Sequence, residues 1–250
     1  MGDKYFSTQQ WNETAAQEDG IIERDTQFID DVKDWVLSGP HFFVANPLYK
    51  NPRDPCTSNK AYDEIDLTNI PADYLPRTNY VPACPRAEYR RQMSRVSWTN
   101  ENGNRELVTE FPRAIYRKMV GSSSMRTLSG AMYQSKVSHI HGAFSFAFEQ
   151  NEHLLDFVAL TASIPYDFFL KTTGKSNFMD DTARQLPLPE MPDTLQNRLR
   201  SRILLLNSLT THYADLWADS WQDTFTDDTW TKDDPRLPAD TDFSDLTGTW

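Results

Sequence analysis

Histidine and cysteine are the side chains of this sequence that could bind a metal ion or act as a nucleophile. His139 and His141 lie two residues apart, so on a strand they would share one face and could both ligate a metal. No third ligand stands at a matching spacing, which favours a structural or contact role for both. Cys56 and Cys84 are too few for a disulfide framework or a four-thiolate zinc site, and we expect free, buried thiols.

Motifs that hold phosphates or build hydrolytic sites are missing from the sequence. With nine glycines, nothing matches GxGxxG or GxxxxGK[ST], and neither GxSxG nor HExxH occurs. Asn46-Pro47-Leu48-Tyr49 is similar to the Asn-Pro-Pro-Tyr/Phe segment of amino-methyltransferases, but a leucine replaces the second proline and no glycine-rich cofactor strand precedes it. We therefore expect no cofactor in this chain and no catalysis by this chain on its own.

Charge is distributed unevenly along the 250 residues, whose net charge is −11. Residues 77–141 hold 11 basic and 4 acidic side chains, a net of +7, whereas residues 1–35 are at −6 and residues 211–250 at −8. Attraction of a polyanion depends on the local potential within about 10 Å at ~0.1 M salt, so this basic window could meet phosphates despite the negative total. A solvated basic face that pairs with the acidic ends is the alternative interpretation.

The apolar patterns predict an α+β fold: a small mixed sheet, loop-rich and proline-rich segments, and a long C-terminal amphipathic helix. In Ala143–Phe148 phenylalanine alternates with alanine and serine, which indicates a strand with one buried face. Residues 46–86 are dense in proline and should form ordered loops. The helix is predicted over 193–221, with an apolar stripe formed by Leu195, Leu199, Ile203, Leu206, Leu209, Tyr213 and Leu216.

The domain organisation follows from where apolar residues stop. We expect residues 1–221 to form one domain and residues 222–250, which are acidic and poor in aliphatics, to form a solvated, truncated tail. No run of 18 apolar residues occurs, and the N-terminus lacks a signal-type apolar region. These features favour a cytoplasmic protein without a membrane partner.

Four segments, taken in order, resemble one family of DNA-modifying enzymes. They are HFFVANPLYKNPR (41–53), VGSSSMRTLSGAM (120–132) with its S-x-x-x-R-T-L-x-x-A element, the segment 154–191 closing on Leu-Pro-Leu-Pro, and LLLNSLTTHYADLW (204–217). The family is the large single-chain adenine-specific DNA methylases, which are Type IIG-like restriction-modification enzymes with relatives in the BREX and DISARM phage-defence systems. The resemblance covers most of residues 5–221.

The resemblance implies a function, because the matching region of those enzymes follows the catalytic domain and forms the target-recognition region. It implies a bacterial chain that binds double-stranded DNA beside a methylase catalytic domain or subunit, to which S-adenosylmethionine would bind. The upstream cofactor-binding strand and catalytic segment are missing here, so we expect a fragment or a split subunit. The candidate DNA-binding residues are Arg113, Arg117, Lys118, Arg126, Lys136, Lys171, Lys175 and Asn177.

A protein-interaction role is the alternative hypothesis. In it the chain is a non-catalytic scaffold of a phage-defence complex, whose proline-rich loops and amphipathic helix dock neighbouring domains. The basic window would then pair with the acidic ends of the same chain. Phosphate contacts make binding strongly salt-dependent, whereas docking through apolar helix faces does not, so a salt titration separates the two hypotheses.

Overall fold

The computed structural model of the chain describes residues 5–58, 60–121, 123–232, 234–235 and 242–250. Its strands are β1 (Tyr5–Thr8), β2 (Ile22–Glu23), β3 (Gln27–Phe28), β4 (Val36–Leu37), β5 (Lys50–Pro52), β6 (Tyr62–Glu64), β7 (Arg77–Thr78), β8 (Val81–Pro82), β9 (Arg113–Arg117), β10 (Gly130–Tyr133), β11 (Ser138–His139) and β12 (Ala143–Phe148). Its helices are α1 (Glu13–Glu18), α2 (Arg86–Arg91), α3 (Asn151–Ala162), α4 (Ile164–Thr173), α5 (Asp180–Ala183), α6 (Asp193–Asn207) and α7 (Ala214–Ser220). The predicted α+β class is confirmed.

The central sheet has the strand order β1-β12-β9-β10, and all its neighbours are antiparallel. Every residue of β12 is buried, so the prediction of a single buried face is wrong. The small residues that alternate with phenylalanine, such as Ser145 and Ala147, lie against a second layer rather than against water. Small side chains on the second face let loops approach the sheet closely.

A helical layer covers the face of the sheet that carries Tyr116, Phe144 and Phe146. These rings pack with Phe157 of α3, whose centroid lies 5.1 Å from that of Phe146 and 5.8 Å from that of Tyr116. The break between α3 and α4 follows from Pro165 in the first turn of α4, as the sequence predicts, because proline is tolerated there and not inside a helix.

A loop layer covers the opposite face, where Ile115 and Tyr133 pack with Trp35 and Phe42. Its strands form only two-stranded ladders, β4 with β11, β2 with β8, β3 with β7 and β5 with β6. Prolines throughout residues 46–86 remove backbone donors and keep these ladders at two or three residues. The proline-rich loops are ordered, and they contribute buried side chains such as Leu48, Tyr62 and Tyr80 to the loop layer.

The predicted C-terminal helix is interrupted. It ends at Asn207, whose buried amide accepts a hydrogen bond from the backbone of Met132 in β10 at 2.7 Å and donates to Ile203 O at 2.8 Å. The chain then leaves helical geometry at Ser208 and resumes as α7. The predicted stripe is correct for Ile203 and Tyr213, which are buried, and wrong for its exposed members Leu195 and Leu206.

Most described residues beyond Trp221 are exposed, but the segment is attached to the domain and does not form a free tail. Phe225 and Phe243 are buried, and Asp228 accepts two hydrogen bonds from Arg202 at 2.8 and 3.0 Å. Aromatic side chains and a buried ion pair therefore attach the segment to α6 despite its lack of aliphatics. Residues 236–241 of the predicted tail lie outside the described residues.

Candidate nucleic-acid interface

Helix α2 places arginines on the surface of the loop layer. Its inner side is fixed by Tyr89, which is fully buried, accepts a hydrogen bond from Trp11 Nε1 at 2.8 Å and contacts Ser138 Oγ at 2.8 Å. Arg86 and Arg90 are four residues apart and so share a face of the helix. Because Tyr89 anchors the inner side of α2, the arginine side chains lie on the outer face of the helix.

An irregular hairpin over residues 94–108 brings two more arginines to α2. Val96 N bonds Glu106 O at 3.0 Å and Val108 N bonds Ser94 O at 2.9 Å, while Gly103 at φ 76° makes the tip turn. Val96 and Val108 are buried inside. The pairing sets Arg95 opposite Leu107, next to Arg105, and the Arg95 guanidinium donates to Arg105 O at 2.6 Å.

Together α2 and the hairpin line a cleft of about 790 Å³, and a second hollow of about 260 Å³ adjoins it and shares Arg90. We name the two the arginine cleft. Its cationic side chains outnumber its three acidic ones, Asp31, Glu106 and Glu110. The cations are Lys33, Arg86, Arg90, Arg91, Arg95, Arg105 and Lys136.

Part of this charge is neutralised inside the cleft. Arg90 pairs with Glu110 at 2.6 Å, and Arg86 pairs with Asp34 at 3.3 Å. Within the described part of the chain, no carboxylate pairs with Arg91, Arg105 or Lys136, and all three are exposed. Exposed, uncompensated guanidinium and ammonium groups in a concave surface are the groups that bind phosphates.

Arg113 was predicted to bind DNA, and the structure contradicts this. Its side chain is fully buried in the sheet, where the guanidinium donates to Val137 O and to Ser145 Oγ. Burial lowers the pKa of Arg113 to about 9. The alternation of β9 points this residue into the loop layer, so it holds two segments together and reaches no ligand.

Arg117 and Lys118 lie at the end of β9 and are partly buried. Arg117 donates to Gly39 O at 2.8 Å and to Phe42 O at 2.7 Å. Lys118 Nζ is 2.9 Å from His141 Nε2 and 3.3 Å from Gln9 Oε1. Successive strand residues point to opposite faces, so the two cations do not act as one pair.

The remaining predicted residues, except Lys136, lie where the chain after β9 runs beside α4 and the segment that follows it. Arg126 donates to Ala162 O at 2.8 Å and pairs with Asp167 at 3.4 Å. Lys171 donates to Ser124 O at 3.1 Å, Lys175 pairs with Asp181 at 3.6 Å, and Asn177 bridges Met119. We name the cations of this region the basic edge: Arg117, Lys118, Arg126, Lys171 and Lys175.

Of the eight predicted residues, Lys136 alone lines the arginine cleft. The sequence prediction missed all five arginines of that cleft, although they lie inside the basic window. Their spacing was the available signal, because positions 86, 90, 91 and 95 repeat at intervals of four and one, as on one side of a helix. Arg105 joins them only through the hairpin, which no local pattern predicts.

His139 and the two cysteines lie in the loop layer. His139 is buried against Ser145 Oγ at 2.9 Å, and burial lowers its pKa to about 3. Cys56 is buried and Cys84 half-buried, both as free thiols. Among the described residues no three His, Cys, Asp or Glu side chains are grouped so that they could hold a metal ion.

Asn46 and Tyr49, of the segment similar to a methyltransferase motif, have bonding partners of their own. Asn46 Oδ1 accepts a hydrogen bond from Leu48 N at 3.0 Å, and Tyr49 OH donates to Glu64 at 3.2 Å.

None of the described helices has both the length and the apolar sequence needed to cross a membrane. Neither a protein-family model nor a curated protein sequence matches this chain.

Proposed function

We propose that this chain is the DNA target-recognition module of a bacterial adenine-specific DNA methyltransferase of a restriction-modification or phage-defence system. The observation that carries the proposal is the arginine cleft, where Arg91, Arg105 and Lys136 face solvent without a carboxylate partner among the described residues. The methylase-like segments of the sequence give it a biological setting. Methyl transfer, with S-adenosylmethionine, would belong to a separate catalytic domain or subunit.

In this proposal the cleft binds backbone phosphates and other side chains read the bases. Arginine suits the first task because its planar fork can make two parallel hydrogen bonds to a phosphate. Phosphate contacts fix the protein on the duplex but carry no sequence information. Asn177 was predicted to read base edges, but it lies at the basic edge and does not line the arginine cleft, so it is assigned no such role in this proposal.

The salt dependence of duplex binding tests the proposal. If Arg91, Arg105 and Lys136 each bind one phosphate, log K should fall with log salt at a slope of about −2.7, measured by fluorescence anisotropy from low salt upward. The full chain should be used, because removing the residues after Trp221 would expose the core around Phe225. Absence of salt-dependent binding to every duplex tested would contradict a role in DNA recognition.

A docking scaffold is the second candidate, favoured by an exposed apolar surface on the helical layer. Ile164 and Phe168 of α4 are 74% and 64% exposed and share one helix face, and Met125 beside them is 84% exposed. Surfaces of this kind mark protein contacts. A Phe168→Ser variant that keeps wild-type salt-dependent DNA binding but no longer joins its catalytic subunit would assign docking to this face and DNA to the other.

A further inference from the structure

A second cleft, of about 440 Å³, lies in the loop layer away from α2 and the 94–108 hairpin. Its wall carries two aromatic rings, Phe43 and Tyr49, whose centroids are 5.2 Å apart at an interplanar angle of 32°. Met119, which is 79% exposed, lines the same cleft. Aromatic and thioether side chains around a hollow of this size give a surface on which a planar ring can stack.

Cations extend the aromatic wall on both sides. The Arg117 guanidinium lies 5.6 Å from the Phe43 centroid, and Lys50 Nζ lies 4.8 Å from that of Tyr49 and 3.6 Å from the exposed carboxylate of Glu64. Arg117 uses Nε and Nη2 to bind the carbonyls of Gly39 and Phe42, which leaves Nη1 outside those bonds. Because the guanidinium is already held, a ligand that binds it has little side-chain ordering to overcome.

Glu13 gives the cleft a negatively charged hydrogen-bond acceptor beside its two cations. It begins α1 directly after the N-cap residue Asn12, and it lines the cleft together with Arg117 and Lys50. A carboxylate accepts hydrogen bonds and cannot donate them when ionised. The cleft therefore offers a stacking surface, cations that suit an anionic group and one acceptor that suits an amino group.

We propose that this cleft binds a nucleotide whose base carries an exocyclic amino group. The base would stack against Phe43 and Met119, its amino group would donate to Glu13, and its phosphate would meet Lys50 and Arg117. A thymine or uracil nucleotide lacks the amino donor, and its only base donor, the ring N3–H, lies between two carbonyl oxygens that repel the Glu13 carboxylate. The ligand is either a free mononucleotide or an unpaired nucleotide of a DNA strand, since both present this chemistry.

Calorimetric titration of the full chain with dAMP, dCMP, dTMP and deoxyribose 5-phosphate tests the site. We expect dAMP or dCMP to bind at least about fivefold more tightly than dTMP, and Phe43→Leu or Met119→Ser to weaken that binding by at least about fivefold. Glu13→Gln should remove the preference, since an amide can donate as well as accept. Lys60→Gln removes an exposed charge that lines neither cleft and is the matched control.

Two results would overturn the proposal: deoxyribose 5-phosphate binding as tightly as dAMP, or no nucleotide binding at about 5 mM. Oligothymidine strands with or without one deoxyadenosine or deoxycytidine identify the source. Tighter binding of the substituted than of the unsubstituted strand assigns the site to DNA, and equal binding of the two strands assigns it to free nucleotide. Arg91→Gln/Arg105→Gln separates this site from the proposed DNA cleft, since it should weaken duplex binding and leave dAMP binding intact.

Discussion

The arginine cleft and the basic edge have similar compositions but differ in what their cations contact. In the basic edge Arg117 and Arg126 donate to backbone carbonyls of neighbouring segments, and Lys171 closes the loop that carries Ser124. In the arginine cleft Arg91 and Arg105 extend from a helix and a hairpin that are anchored by other residues. Donor groups engaged by the fold stabilise it, and only the donors that the fold leaves over, such as those of Arg91 and Arg105 or Nη1 of Arg117, are available to a ligand.

The loop layer, which carries the arginine cleft, should make the free energy of unfolding sensitive to acid. Burial lowers the pKa of His41 to about 4 and that of His139 to about 3. The unfolded chain binds protons at these histidines below pH about 6.5 and the folded chain does not, so stability falls as pH falls. Between pH 7.5 and 5 each should cost about 2 kcal/mol, together about 4 kcal/mol.

Urea denaturation at pH 7.5, 6 and 5 measures this loss. A His139→Gln variant that still folds should lose only about half as much stability over the same range. Stability that stays constant from pH 7.5 to 5 would show that these two histidines are not held neutral in the loop layer.

A matched pair of carboxylate variants tests whether the two regions differ in structural role. Asp167 is buried beside Arg126 and accepts hydrogen bonds from Thr127 N at 2.8 Å and Leu128 N at 2.7 Å. Asp167→Ala leaves these donors and a cation without their partner and should cost about 3 kcal/mol. Glu110→Ala removes the half-buried partner of the exposed Arg90 in the cleft and should cost about 0–1 kcal/mol.

Thermal or urea unfolding of both variants gives the comparison directly. Equal losses in the two variants would mean that the cleft cations are as much part of the fold as those of the basic edge.

The sequence was sufficient to predict those elements whose pattern is local and whose apolar side chains pack into the core. The α+β class, the break at Pro165 and the burial of Ile203 in α6 follow from spacing and from proline. It was insufficient for Leu206, which lies on a helix whose buried face is set by Asn207 bonding to the sheet. The acidic tail was misread because Phe225 and Phe243, rather than aliphatics, bind it to the domain.

The candidate site was predictable only as a region. Net charge located residues 77–141, but neither charge nor motif tells that Arg113 points inward while Arg105 reaches α2 through a hairpin. Whether a cation is free depends on carbonyls and carboxylates distant in the sequence, such as the pairing of Arg117 with Gly39 and Phe42. These contacts are tertiary, and one sequence does not encode them in any short pattern.

The most direct test of the account is the salt dependence of duplex binding in two charge-matched double variants. Arg91→Gln/Arg105→Gln should flatten the slope of log K against log salt by about 1.8, because two phosphate contacts are lost. Lys171→Gln/Lys175→Gln removes the same charge from the basic edge and should leave the slope unchanged. Flattening by the Lys171/Lys175 pair without any change in the Arg91/Arg105 pair would contradict the assignment of DNA to the arginine cleft.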